Sequence, residues 1–167
     1  MAPLLDVKDL TVRFYTKDGV VQAVNGISYT MEQGDILGLV GESGSGKSVS
    51  SMAMLRLIPE PPGKIEKGQA LFEGRDLLKI KRNRIHQVRG REIGVIFQDP
   101  MTSLNPVMPI GRQIGEAMQV NLGRDSAEAE KETVRLLDRV GIPQAEERMG
   151  DYPHQFSGGM RQRVMIA

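Results

Sequence analysis

Apolar and polar residues alternate near the start of the chain in a pattern that predicts paired strands. Leu10, Val12 and Phe14 are separated by single residues of more polar character, and a period of two is typical of a strand with one buried face. The turn signal KDG follows, and residues 20–29 (VVQAVNGISY) form a second strand-like run. The pattern predicts a β-hairpin with a longer loop between its strands.

Two uninterrupted apolar runs, residues 36–40 (ILGLV) and 93–97 (IGVIF), have no polar face. Short continuous runs of this kind predict buried strands, and the first has the character of a parallel one. In the segment VSSMAMLRLI after residue 48, most of the apolar residues can share one helical face: Val49, Met52, Ala53, Leu55 and Leu57. This part of the chain therefore predicts a strand, a loop and a helix in succession.

The remaining pattern changes from strands to helices along the chain. GQALFEGRDLL predicts one more strand with a turn at Gly74. Residues 110–122 predict a helix, and a second helix follows that Asp125 or Ser126 caps and Gly141 ends. Strands in the first hundred residues and helices in the last sixty indicate an α/β chain.

The loop between residues 36–40 and the next helix has the sequence GESGSGKS, which fits the phosphate-binding pattern G-x-x-x-x-G-K-[ST]. Its glycines permit a close backbone approach, Lys47 is a flexible charge suited to the β- and γ-phosphates, and Ser48 offers a hydroxyl to Mg²⁺. The alternative is a flexible Gly/Ser turn with a solvated lysine. The flanking strand and helix favour a nucleoside triphosphate site.

Composition narrows the possible functions. The chain has 167 residues and a formal net charge of +1, so no overall attraction to nucleic acid or anionic membrane follows. It has no cysteine, which excludes disulfides and zinc–thiolate sites within it. We find no signal peptide and no apolar stretch of the ~20 residues that cross a bilayer.

Residues 79–91 (KIKRNRIHQVRGR) form a basic run with two possible interpretations. They could bind nucleic acid, but no aromatic side chains are interleaved for base stacking. A solvated amphipathic helix with Ile80, Ile85 and Val88 turned inward is favoured instead.

Three further features suggest a nucleotide site, although each has a plain structural interpretation when taken alone. Ser157-Gly158-Gly159 before a helix can bind a second anion, or it can simply cap that helix. Gln98 follows residues 93–97 and could contact Mg²⁺ or the attacking water, or its amide could be satisfied in a loop. Phe14 or Tyr15 could stack on adenine, or belong to the core or surface.

Taken together, GESGSGKS, Gln98 and FSGGM resemble the ATP-binding subunits of ABC transporters. GESGSGKS is similar to their Walker A loop, Gln98 to the Q-loop glutamine and FSGGM to the signature motif. Phe156 and Met160 stand where the family usually has leucine and glutamine. The stretches VGESGSGKS, FQDPMTSLNPVM and YPHQFSGGMRQRVMIA resemble the peptide and nickel importer branch.

The resemblance implies an α/β fold of the P-loop NTPase (RecA-like) type, an ABC nucleotide-binding domain with an antiparallel β subdomain and an α-helical subdomain. Residues 1–167 would form one partial domain, with the β subdomain and P-loop core over 1–105 and the helical subdomain and signature motif over 106–167. Walker B, the catalytic glutamate and the switch histidine would follow downstream. On that expectation these residues bind nucleotide without turning it over.

The resemblance also implies the site residues. ATP would be contacted by Phe14 or Tyr15, Gly41, Glu42, Ser43, Gly44, Ser45, Gly46, Lys47, Ser48, Val49, Ser157, Gly158 and Gly159. Mg²⁺ would be held by Ser48 and Gln98, and Gln98 would take part in catalysis.

The function implied is an ATPase that powers the import of peptides, or nickel, at the cytoplasmic face of the cell membrane. Its partners would be a second ATPase subunit placed head to tail (identical or related), transmembrane permease subunits and, indirectly, a solute-binding protein, with no nucleic acid. One alternative is a soluble ABC ATPase of translation or DNA repair. Another is a P-loop kinase or GTPase, in which FSGGM would have no purpose.

Overall fold

The structure is a computed structural model that describes residues 2–97 and 103–167. The chain packs as two compact units, of which the first ends at His86 and the second begins at Gln87. The first unit holds the strands and the P-loop helix, and the second holds most of the other helices. The division predicted at residue 105 concerned subdomains and stays a prediction.

The first unit begins with the predicted hairpin. Strand β1 (Leu5–Thr16) pairs antiparallel with β2 (Gly19–Met31), and Thr16 lies opposite Gly19. The hairpin is therefore confirmed, but the longer loop is wrong, because only two residues separate the strands. Gly19 has φ +134°, a conformation that other residues rarely adopt, and this freedom lets the chain reverse within so short a turn.

Strand β1 is central in a four-stranded sheet of order β2-β1-β3-β4. Strand β3 (Gly63–Phe72) pairs antiparallel with its other edge, and the short β4 (Arg75–Asp76) follows a turn at Gly74. The predicted third strand and its turn are thus confirmed. Because β1 has neighbours on both sides, its apolar residues supply much of the core of this unit: Val7, Leu10 and Val12 are at most 1% exposed.

Helix α1 (Lys47–Met54) packs on this core with Ala53 fully buried. The interior of the first unit is therefore shared between the sheet and the helix that follows the P-loop. The predicted apolar face of the helix is only partly right, because Leu57 lies beyond its end and is 36% exposed.

The two apolar runs are not strands in this structure, which corrects the sequence prediction. Residues 36–40 are irregular, with Ile36 100% and Val40 94% exposed. Within residues 93–97 only Ile93 makes a bridge, to Arg89, and Phe97 is 44% exposed. A strand requires backbone partners, and no described residue supplies a ladder to either run.

The helices follow the sequence pattern closely. Helix α2 (Arg82–Val88) buries Ile85 and Val88, which confirms the amphipathic interpretation at these two positions, whereas Ile80 precedes the helix and is half-buried. Helix α3 (Ile110–Leu122) has the predicted bounds. Helix α4 (Ser126–Arg139) is capped at its start by Asp125, whose Oδ1 accepts the Glu128 N–H at 2.8 Å. Of the two predicted caps, Asp125 and not Ser126 is therefore the one observed.

Two short helical segments, α5 (Ala145–Arg148) and a 3₁₀ turn (Pro153–Gln155), connect α4 to α6 (Gly158–Ile166). The core of the second unit forms where these elements meet. Its buried residues are Ile110, Leu137, Ile142, Ala145, Phe156 and Val164. Phe156 and Val164 come from the two sides of the α6 N-terminus, so the start of that helix is fixed to the core.

Candidate nucleotide site

The glycine-rich loop leads directly into α1 and is held against β2. Gly44 and Gly46 have φ of +81° and +89°, which is the left-handed region that favours glycine. A Cβ added to Gly46 would lie 2.1 Å from the Ala23 carbonyl oxygen and 3.4 Å from Cγ2 of Val24. The sequence therefore needs glycine at residue 46 both for its backbone conformation and for its close contact with the strand.

The Lys47 ammonium group is folded back into the loop. Its Nζ donates to the carbonyl oxygens of Gly41 and Glu42, each at 2.7 Å, and to Oγ of Ser45 at 3.3 Å. These three contacts use all three donors of a lysine. They hold one positive charge among the carbonyls of the loop at the first residue of α1.

The N-terminus of α1 adds to this positive potential. Gly46 is the N-cap residue, no side chain accepts a hydrogen bond from the first turn, and the first turn contains no acidic residue. Free N–H groups at a helix start carry partial positive charge and bind anions, phosphate in particular. The loop and helix therefore form a site suited to a polyphosphate.

Ser48 differs from the other serines of this helix. The hydroxyl groups of Ser50 and Ser51 donate to the Lys47 carbonyl at 2.7 and 3.3 Å. Ser48 is exposed, and its hydroxyl has no such partner in the described part of the chain. No group of three His, Cys, Asp or Glu residues suited to a metal occurs among the described residues. A cation here would thus need oxygens from a bound phosphate in addition to Ser48.

Phe14 and Tyr15 lie on opposite faces of β1, as neighbouring residues of a strand do. Phe14 packs in the hydrophobic cluster of the first unit, which also contains Val24 and Val49. Tyr15 is 46% exposed, and its hydroxyl donates to Oε1 of Glu66 at 2.7 Å. Only Phe14 therefore shares a face of the sheet with α1.

The carboxylate of Glu66 is stabilised in its charged form by its neighbours. The hydrogen bond from Tyr15, followed by that from Lys64, lowers the pKa of the Glu66 carboxyl below its ordinary value. Charge-assisted hydrogen bonds of this kind are stronger than neutral ones. Tyr15 is thus held on the outer face of the sheet.

The second candidate anion site lies at the start of α6. Ser157 is the N-cap, and its Oγ accepts the Met160 N–H at 3.3 Å. Gly158 and Gly159 are exposed, and a Cβ at either would meet no atom within 4 Å. Phe156, where the resembling family has leucine, is 3% exposed in the core of the second unit. This departure from the motif therefore replaces one buried apolar residue by another.

The predicted site residues are distributed over the two units as follows. Residues 41–48 form one continuous loop of the first unit, and Ser157, Gly158 and Gly159 form one helix start in the second. Gln98 lies outside the described residues. Val49 is half-buried in the core cluster, so its side chain faces away from the loop opening.

Two residues with marked contacts had no signal in the sequence. Gln113 binds the backbone of the preceding loop, accepting from the Asn105 N–H at 2.9 Å and donating to the carbonyls of Asn105 and Met108 at 3.0 and 2.8 Å. Arg163 donates to carbonyl oxygens at the end of α4. A glutamine or an arginine within a helix has no distinctive spacing, so only the structure identifies them.

No helix in the described ranges is long and apolar enough to cross a membrane.

The family model described as "ABC transporter" matches residues 24–167 of this chain.

Curated relatives match over nearly the whole chain. The oligopeptide transport ATP-binding protein OppD of Bacillus subtilis is 52% identical over 98% of this chain and 46% of its own length. OppD of Haemophilus influenzae is 53% identical over 100% of this chain and 51% of its own length. OppD of Escherichia coli is 50% identical over 98% of this chain and 48% of its own length. The chain thus spans about half the length of these relatives.

Solved structures are similar at lower identity. The dimeric structure of MJ0796, a bacterial ABC transporter cassette, has a TM-score of 0.83 at 20% identity, and the match covers 97% of this chain and 67% of the MJ0796 chain. CbiO1 from Clostridium perfringens, part of the ABC transporter complex cbiONQ, has a TM-score of 0.72 at 24% identity, and the match covers 99% of this chain and 60% of the CbiO1 chain. At these identities the likeness concerns the fold.

Proposed function

Because this chain belongs to the ABC transporter family, we propose that it is part of an ATP-binding subunit that powers the import of peptides. The observation that carries the proposal is the arrangement of the Lys47 ammonium at the uncapped start of α1. The choice of peptides is supported by relatives named as oligopeptide transport ATP-binding proteins at about half identity.

The fold is that of an ABC ATPase cassette, an α/β P-loop fold with an antiparallel sheet and helices, as the sequence predicted. The named relatives are transport or import proteins, and none favours the alternative of a translation or DNA-repair ATPase. The kinase and GTPase alternative is excluded by the family. Peptide transport therefore remains the one function proposed.

In this proposal the triphosphate of ATP binds in the loop formed by residues 41–48. Phosphate oxygens replace loop carbonyls as acceptors for Nζ of Lys47, and backbone N–H groups at the start of α1 bind the remaining oxygens. A Mg²⁺ ion would be held by the Ser48 hydroxyl and the phosphates, and would neutralise charge on the triphosphate. Its other predicted ligand, Gln98, stays a prediction.

The adenine partner in this proposal is Phe14. It lies on the face of β1 that carries α1, and it packs in the same cluster as Val24, whose Cγ2 lies 3.4 Å from the position of a Cβ at Gly46. Tyr15 is on the other face and is bound to Glu66. Aromatic stacking contributes roughly 1–3 kcal/mol per base in nucleic-acid complexes, and we expect Phe14 to contribute in that range.

Hydrolysis in this proposal requires a second ATP-binding subunit, either a second copy or a related protein. At the start of α6, Ser157, Gly158 and Gly159 are exposed, and a Cβ at either glycine would meet no atom within 4 Å. Placed on the γ-phosphate held by the partner's P-loop, these groups would stabilise the charge of the transition state. Phosphoryl transfer depends mainly on positioning and charge stabilisation, so hydrolysis would follow the closure of the pair.

The remaining partners follow from the proposed transport function. Permease subunits would carry the peptide across the bilayer, and a solute-binding protein would deliver it. The ATP-binding subunit would then lie at the cytoplasmic face of the membrane. Relatives named as peptide import ATP-binding proteins support this assignment.

Replacing Ser157 by arginine tests the proposal in the protein at its full encoded length, together with its partner subunits. We expect Ser157→Arg to bind ATP with unchanged affinity, because the P-loop belongs to the first unit, and to lose hydrolysis. Isothermal titration and phosphate release measure the two quantities. The control is Gln162→Arg, which adds the same charge at an exposed position of α6. Full hydrolysis by Ser157→Arg would refute the role assigned to the α6 start.

A further inference from the structure

The side chain of Arg163 in α6 forms hydrogen bonds with the end of α4. Its Nη1 donates to the carbonyl oxygen of Gly141 and, at 3.4 Å, to that of Val140. Val140 is the C-cap of α4, where carbonyl groups lack partners within the helix. Arg163 therefore binds the C-terminal end of one helix from the side of another.

The local structure of α4 is suited to this contact. Gly141 has φ +72°, and a Cβ at this position would lie 3.1 Å from Nη1 of Arg163. Glycine thus turns the chain at the end of α4 and leaves room for the guanidinium group. The positive charge lies at the negative end of the helix dipole, which favours the contact further.

Within the described part of the chain, the structure assigns no other acceptor to Arg163 than these carbonyls. No carboxylate in residues 2–97 and 103–167 forms an ion pair with it. The side chain of Arg163 is exposed, and these hydrogen bonds orient its guanidinium group toward the end of α4. Hydrogen bonds to charged groups are strong and depend on geometry.

Apolar residues in and just before α6 pack on the core of the second unit. Phe156 and Val164 are 3% and 2% exposed, and Met160 packs on the same cluster. This burial holds one side of the helix against the core and already restricts its rotation. Arg163 lies six residues after Ser157, which is about 9 Å along a helix axis. Its directional hydrogen bonds add a second constraint on the rotation of the helix.

We propose that Arg163 is a positioning residue for hydrolysis, which holds α6 in the rotation that presents Ser157, Gly158 and Gly159 to the γ-phosphate. The inference rests on the proposed function, because it gives that rotation a purpose. Arg163 touches neither nucleotide nor metal in this account. It acts through the start of α6, which carries Ser157, Gly158 and Gly159.

The test compares Arg163→Met with Arg163→Lys in the full-length protein with its partner subunits. Methionine keeps an extended apolar side chain and removes every donor, whereas lysine keeps one charge that can reach a carbonyl. Gln162→Met, at an exposed position of the same helix, is the matched control. The quantities measured are kcat, KM for ATP, the dissociation constant of ATP and the thermal unfolding midpoint.

We expect Arg163→Met to lower kcat severalfold, because a helix start that is held less firmly presents Ser157, Gly158 and Gly159 to the γ-phosphate for a smaller fraction of the time. KM and the ATP dissociation constant stay near the wild-type values, because the P-loop is in the other unit. Arg163→Lys recovers part of kcat, and Gln162→Met leaves kcat unchanged. A merely structural role would lower the unfolding midpoint without a loss of kcat in the folded fraction.

Three outcomes would overturn the inference: wild-type kcat in Arg163→Met, an equal loss in Gln162→Met, or a fall in ATP affinity that accounts for the lost rate. If Arg163→Met does not fold, Arg163→Lys decides, because it should fold with a reduced kcat and an unchanged KM. Ser157→Arg separates the two proposals. If it still hydrolyses ATP, the proposed function fails; if it is inactive while Arg163→Met is fully active, only the present inference fails.

Discussion

Two glycines of the P-loop, Gly44 and Gly46, have similar backbone conformations and different surroundings. Their φ angles are +81° and +89°, but a Cβ at Gly44 would meet nothing within 4 Å, whereas one at Gly46 would lie 2.1 Å from the Ala23 carbonyl oxygen. The sequence motif specifies glycine at residue 46 and leaves residue 44 open. It did not predict that the second one is also held against a strand, because Ala23 is distant in the sequence.

Substituting the two glycines separates backbone strain from steric overlap. We expect Gly44→Ala to lower the free energy of unfolding by about 1–2 kcal/mol, the cost of a left-handed conformation for an L-residue. Gly46→Ala should cost about 1–3 kcal/mol more, because a backbone carbonyl must move aside. Denaturant unfolding of the two variants measures the difference. Equal losses would show that β2 does not hold the loop.

At the scale of elements, local signals predicted the hairpin and the helices well. Gly123, Asp125 and Gly141 mark helix ends through their own conformation or side chain, so they can be recognised without knowledge of the fold. Residues 36–40 and 93–97 were predicted as strands from apolar content alone. A strand depends on a partner, and a run of apolar residues does not indicate whether one is present.

The alternation of β1 permits a test of the adenine partner. Phe14→Ala should weaken the binding of ATP by about tenfold, since stacking contributes roughly 1–3 kcal/mol, and leave the binding of inorganic triphosphate unchanged. Tyr15→Ala, on the opposite face, is the matched control and should bind both ligands like the wild type. Equilibrium titration of the wild type and the two variants with both ligands gives the six dissociation constants. A loss with Tyr15→Ala alone would reverse the assignment.

The two proposed anion sites lie in separate compact units, the P-loop in the first and the α6 start in the second. Their residues were proposed from the sequence, because glycine, serine and lysine at fixed spacing are typical of phosphate-binding loops, and they stay a prediction. The sequence could not predict Gln113 or Arg163, whose roles depend on which backbone groups lie nearby. The contacts between elements, and not the motifs, therefore contain the information that only the structure provides.

The proposed function depends above all on the binding of ATP by the loop that encloses Lys47. The most direct measurement is the dissociation constant of Mg-ATP for the wild type, Lys47→Ala and Lys17→Ala, the last removing an exposed lysine of the β1–β2 turn. We expect Lys47→Ala to raise the constant about tenfold or more, because charge-assisted hydrogen bonds contribute about 1.5–3 kcal/mol, and Lys17→Ala to leave it unchanged. Equal affinities for the wild type and Lys47→Ala would contradict the nucleotide site and the function built on it.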